Sequence, residues 1–80
     1  MTLEEFTHNL EAELDELEPG TLKPDTGYRD LKNWSSMYAL IIIAFVDINF
    51  GITLNGADLK NTVTVKDLYN LVQEKLKNVQ

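Results

Sequence analysis

The sequence predicts an all-α fold, a small four-helix bundle of three long helices and one short one, and three observations carry that reading. Leu3, Phe6, Leu10, Leu14 and Leu17 recur at spacings of three and four, which makes one apolar face of a helix. Val65, Leu68, Leu71, Val72, Leu76 and Val79 do the same near the other end. Between them lies Tyr38-Ala39-Leu40-Ile41-Ile42-Ile43-Ala44-Phe45-Val46, the most apolar run in the chain. Strand signals are weak: Ile52-Thr53-Leu54 alternates in polarity but is short and has no partner run. Eighty residues suffice for one modest core and not for two, so residues 1–80 read as a single domain.

The first helix starts at a capping-box signature, Thr2 with Glu5 three residues on. Glu4, Glu11, Glu13, Asp15 and Glu16 fall on the side opposite its apolar face, and Pro19-Gly20 is the expected stop. His8 lies on the polar side with no second ligand at metal spacing, so it reads as a surface residue and no metal site is expected. Residues 19–34 form a long connection of turn formers, with Leu22, Tyr28 and Leu31 spaced along it like pins that fold it back over the helices.

A second helix is expected from about Ser36 to Asn49 or Phe50, with Gly51 in the C′ position and Ile52 making the apolar contact behind it. It is apolar almost all round, and Asp47 is its only charge. Full burial of such a helix is difficult in so small a domain, so some of Met37, Leu40, Ile41, Ala44 and Ile48 is expected to face water. Ser36 stands at its mouth. Serine is a preferred N-cap there, and its hydroxyl also lies beside the positive end of the helix dipole, where a phosphate-linked group is favoured. Asn55 to Lys60 makes a turn or two of helix. Thr64 with Asp67 caps the last helix, and Val63 and Leu68 fit a hydrophobic staple across that cap.

Composition narrows the function. A net charge of −6 argues against nucleic acid, which needs clustered Lys and Arg. The acidity is local: residues 1–18 hold seven acidic side chains and no Lys or Arg, whereas the remainder is nearly neutral. There is no cysteine, so any thiol chemistry needs an added group. Met37 to Val46 is about half the length of a membrane span, and the acidic start lacks the features of a signal peptide. A monomeric cytoplasmic protein is expected. One histidine, no cysteine and no serine beside a base leave an enzymatic reading without support.

Five short motifs, in order, resemble the acyl carrier protein family. Leu22-Lys23-Pro24-Asp25-Thr26 is similar to that family's loop of an apolar residue followed by Pro-Asp-Thr. Tyr28-Arg29-Asp30-Leu31 looks like the aromatic-x-Asp-Leu that precedes its attachment site. Trp34-Ser35-Ser36-Met37 resembles the Asp-Ser-Leu signature, Phe50-Gly51-Ile52 the end of the second helix, and Thr64-Val65-Lys66-Asp67-Leu68 the start of the last. Phe50 lies 14 residues after Ser36, the register the family pattern requires, and this selects Ser36 over Ser35.

The resemblance implies that a phosphopantetheinyl transferase esterifies Ser36 with 4′-phosphopantetheine, whose thiol then carries an acyl group as a thioester. It implies partners among acyl-transferring and condensing enzymes, which would dock on Met37, Leu40, Ile41, Ala44, Asp47 and Ile48. It also implies shelter for the acyl chain, with Ile43, Val46, Phe50 and Leu59 as candidate lining. Two positions depart from the signature: Ser35 replaces the Asp that engages the transferase, and Met37 replaces Leu. The second helix also lacks the acidic residues of typical fatty-acid carriers, which points to a specialised lipid or secondary-metabolite pathway. The alternative is a helical interaction module or degenerate carrier fold, without a prosthetic group, that uses the apolar second-helix face.

Overall fold

The computed structural model describes residues 1–14, 17–32 and 34–78. Among the described residues four α-helices follow one another: α1 (Leu3–Glu13), α2 (Ser36–Phe50), α3 (Gly56–Lys60) and α4 (Val65–Asn78), with a 3₁₀ turn at Tyr28–Asp30. The described residues contain no strand, only an isolated antiparallel bridge between Gly27 and Thr64. The long helices α1, α2 and α4 pack pairwise, and α3 adds Leu59 to the core they enclose. The radius of gyration is 11.6 Å, as about 80 close-packed residues require.

The cap of α1 forms as its signature predicts. Thr2 Oγ1 accepts the Glu5 amide at 3.1 Å, and Glu5 Oε1 accepts the Thr2 amide at 2.9 Å. Phe6, Leu10 and Leu14 are fully buried, and the Phe6 ring lies 5.6 Å from Phe45, 5.9 Å from Phe50 and 5.4 Å from Tyr69. One residue of α1 thus ties α2 and α4 together. His8 is exposed, as its place on the polar side requires.

Two expectations for α1 need correction. The helix ends at Glu13, capped by Leu14, well before Pro19. Its last turn holds Glu13 and no basic residue that would favour the negative end of the dipole. Glu11, assigned to the solvent face, is buried instead. Its carboxylate accepts the Gly20 amide at 3.0 Å and the Leu22 amide at 2.7 Å. Each charge-assisted bond of this kind contributes about 1.5–3 kcal/mol. For the connection to reach Glu11 the chain must turn back early, which accounts for the short helix. Asp15 and Glu16 lie outside the described residues, as does Val79 of the α4 stripe.

The connection is pinned as expected at Leu22 and Tyr28, both buried, and at half-buried Leu31. Its backbone also serves α4. The Val65 amide donates to the Thr26 carbonyl at 3.1 Å and the Lys66 amide to the Pro24 carbonyl at 2.8 Å. Thr64 Oγ1 takes the Asp67 amide at 3.1 Å. The first amides of α4, which no intrahelical carbonyl can reach, are all satisfied. Pro24-Asp25-Thr26 and Thr64-Val65-Lys66-Asp67 are therefore two halves of one structure. The Asp67 carboxylate in turn accepts the amides of Thr64 and Val63, which holds it below the usual carboxylate range. Val63 stays 54% exposed, so the staple it was expected to form with Leu68 shields little of it.

Gly51 ends α2 in the left-handed conformation, φ 68°, where a side chain would be strained, and Ile52 and Leu54 beyond it are buried while Thr53 faces water. Alternation in that segment therefore reflects burial without a sheet. Asn55 and Asp58 form a second capping box that opens α3. No helix among the described residues is long and apolar enough to cross a membrane.

Candidate functional site at the mouth of the second helix

Helices α1, α3 and α4 each begin with a reciprocal side-chain cap; α2 does not. Its N-cap is Ser35, extended at φ −156° and ψ 173°, with no side-chain cap bond. Ser36 is the first helical residue, where the helix is expected to start, so the capping position falls to Ser35. The Ser35 carbonyl accepts the Ala39 amide at 3.2 Å and closes the first turn. Both serines are exposed, and neither hydroxyl is held by a described residue. The first turn carries no acidic residue either. Among the described residues, amides without a cap, a positive dipole end and two hydroxyls without a hydrogen-bond partner therefore coincide at one point on the surface.

The chain entering α2 is held by three aromatic rings. Trp34 lies 5.6 Å from Tyr28 and meets Tyr38 edge-on at 6.4 Å. Tyr28 is fully buried and donates to the Leu59 carbonyl at 2.8 Å, with the Thr62 carbonyl and hydroxyl also against its oxygen. Burial pushes the Tyr28 phenol above its ordinary pKa, and the Thr62 hydrogen bond opposes that shift. Arg29 Nη2 donates to the same Thr62 carbonyl at 3.0 Å. The approach to Ser36 is thus fastened to the segment between α3 and α4.

The remaining site residues read from the sequence fall into two sets. On the outer side of α2, Met37 is 67% exposed, Leu40 66% and Ile48 82%. Ala44 and Asp47 are exposed as well, and Ile41 is half-buried. Their helical spacing makes one continuous strip, and Ile41, Ala44 and Ile48 join Glu13, Phe45 and Asn49 around a cleft of about 350 Å³. The four acyl-lining candidates are more scattered. Val46 is wholly buried in the core, and Ile43 and Phe50 are half-buried. Leu59 lines a separate cleft of about 300 Å³ with Arg29, Trp34, Ala39, Gly56 and Lys60. Sequence reasoning missed this cleft, because its walls come from the 3₁₀ turn, α2 and α3 and share no period or motif. Compared with known proteins, the chain matches no family model, no curated protein and no solved structure.

Proposed function

We propose that the protein is a carrier that tethers acyl or related thioester intermediates on a 4′-phosphopantetheine arm esterified to Ser36. The observation that carries this reading is the exposed, unbonded Ser36 hydroxyl at the one helix start without a side-chain cap among the described residues. A phosphodiester at that point gains the free amides and the dipole, and the arm supplies the thiol that a chain without cysteine lacks. The carrier does no chemistry of its own and presents its cargo to acyl-transferring and condensing enzymes. The apolar strip from Met37 to Ile48 is its docking face, which fits a specialised lipid or secondary-metabolite pathway better than partners with basic patches.

Incubation with coenzyme A and a promiscuous phosphopantetheinyl transferase, read by intact mass, should add one phosphopantetheine group. Ser36→Ala should abolish the gain and Ser35→Ala should preserve it. A label mapped to Ser35 would shift the register by one residue. No modification by several transferases would favour a second reading, an interaction module without a prosthetic group. The specific observation behind that reading is the same strip, whose Met37, Leu40 and Ile48 are more exposed than large apolar side chains usually are.

A further inference from the structure

We propose that Asn55 is a site of spontaneous deamidation and that the capping box of α3 sets its rate. Asn55-Gly56 is the single Asn-Gly pair in the chain; each of the other six asparagines precedes a residue with a side chain. The reaction needs the backbone nitrogen of the following residue to reach the side-chain carbonyl carbon, and a following glycine obstructs that approach least. Both residues are exposed, and a Cβ at Gly56 would meet nothing within 4 Å, so water reaches the pair from an open side. The Gly56 amide, the nucleophile, opens α3 and makes no hydrogen bond among the described residues.

Two bonds oppose the reaction. Asn55 Oδ1 accepts the Asp58 amide at 2.9 Å, and the Asn55 amide donates to Asp58 Oδ2 at 3.0 Å. They hold Asn55 extended at ψ 177°. Attack requires rotation away from that angle and release of the side-chain oxygen, so the start of α3 must fray first. Five residues make a helix with little stability of its own. In the step itself the Gly56 nitrogen, its proton lost to solvent base, bonds to Asn55 Cγ. The Cγ–Nδ2 bond breaks, the nitrogen takes up a proton and leaves as ammonia, and a succinimide ring remains. Water then opens the ring at either carbonyl, to aspartate or to isoaspartate.

Aspartate caps a helix as well as asparagine does. Isoaspartate routes the backbone through the former side chain, which lengthens it by one carbon and removes the capping oxygen. That displaces Leu59, a core residue whose carbonyl receives the Tyr28 hydroxyl at 2.8 Å. Tyr28 in turn packs on Trp34, just before Ser36. Deamidation therefore loosens the approach to α2, whether or not Ser36 carries a group.

The full chain would be incubated warm in mildly alkaline buffer and digested at low pH. Methyl transfer by a protein isoaspartyl methyltransferase reads isoaspartate, and tandem mass spectrometry reads its position. Isoaspartate should accumulate at position 55 before any other asparagine reacts. Gly56→Ala, which the open space accommodates, should slow it severalfold. Asp58→Ala should speed it about fivefold, because a cap of ordinary strength no longer opposes fraying. The isoaspartyl form, separated by chromatography, should melt below the unmodified chain and shift the emission of Trp34, the only tryptophan. Asn55→Asp should melt like the unmodified chain. No reaction at position 55, earlier reaction at another asparagine, or an unchanged rate in Asp58→Ala would overturn the inference. An isoaspartyl form with an unchanged melt would overturn the loosening of α3.

Discussion

Two tyrosines with similar burial have opposite energetic roles. Tyr28 is wholly buried and its hydroxyl reaches the Leu59 carbonyl and Thr62. Tyr38 is 6% exposed, yet its hydroxyl is buried with no hydrogen-bond partner among the described residues. A satisfied buried hydroxyl contributes about 1 kcal/mol, whereas an orphaned one carries its desolvation cost with nothing in return. Tyr38→Phe should therefore stabilise the protein by about 1 kcal/mol, a rise in Tm of roughly 4–8 °C for a domain of this size. Tyr28→Phe should destabilise it by about 1–3 kcal/mol, because the groups it binds lose their partner. Thermal melts followed by circular dichroism read both, and a Tyr38→Phe melt below that of the unmodified chain would count against the orphaned hydroxyl.

At the scale of elements, α2 is the unusual one. Its buried positions, Tyr38, Ile42, Phe45 and Val46, form one face, and its exposed positions are scarcely less apolar. That asymmetry between burial and composition can be tested with a charge. Ile48→Glu, at 82% exposure, should shift stability by no more than about 0.5 kcal/mol, as ordinary surface changes do. Ile42→Glu, at 0% exposure, should place an unpaired carboxylate in the core, cost several kcal/mol and unfold the domain. Ile41→Glu, half-buried beside the outer cleft, should fall between them. If Ile48→Glu collapses the melt as Ile42→Glu does, the strip is not an exposed face. This position also shows where sequence reading stopped. The exposure of some of Met37, Leu40, Ile41, Ala44 and Ile48 follows from the size of the domain, but which of them face water does not.

For the whole molecule, the two ends of the pH range act through different parts of the fold. Backbone amides hold Asp67 and Glu5 below the ordinary carboxylate range, Asp67 through Thr64 and Val63 and Glu5 through Thr2. A folded pKa below the unfolded one gives stability that is complete above about pH 4 and is lost as pH falls through the depressed value. Burial holds Tyr28 above its ordinary value, so above about pH 10 the unfolded chain releases a proton the folded chain keeps, and stability falls as pH rises. Acid also relieves repulsion among the seven acidic residues at positions 1–18, which makes the acid limb of the unmodified protein shallow. The informative quantity is the Tm difference between the unmodified chain and Asp67→Asn. It should be largest near neutrality, begin to shrink below about pH 4 as the unfolded chain takes up the proton, and vanish as pH falls through the depressed folded value. A difference independent of pH would mean the charge on that cap contributes nothing.

The sequence by itself determined which segments are helical and the caps that lie within them, because those depend on near neighbours, though not the early end of α1. Thr2 with Glu5, Thr64 with Asp67 and Gly51 after Phe50 act within a turn of the backbone, and helical periodicity marks the inward faces of α1 and α4 without knowledge of what covers them. The Asn55–Asp58 box is equally local, and it opens the short helical turn expected from Asn55 to Lys60. Ser36 was legible as a residue at a helix mouth; that its hydroxyl is unused there was not. Only the tertiary structure decided three things. It turned Glu11 inward, because the amides of Gly20 and Leu22 arrive from a connection whose path no local pattern specifies. It chose the buried face of α2, because a helix apolar all round has no preferred side until Phe6 and the other core residues take positions against it. And it gathered Arg29, Trp34, Gly56 and Lys60 around one cleft, because contact between residues far apart in the chain is set by how helices dock and leaves no period in the sequence.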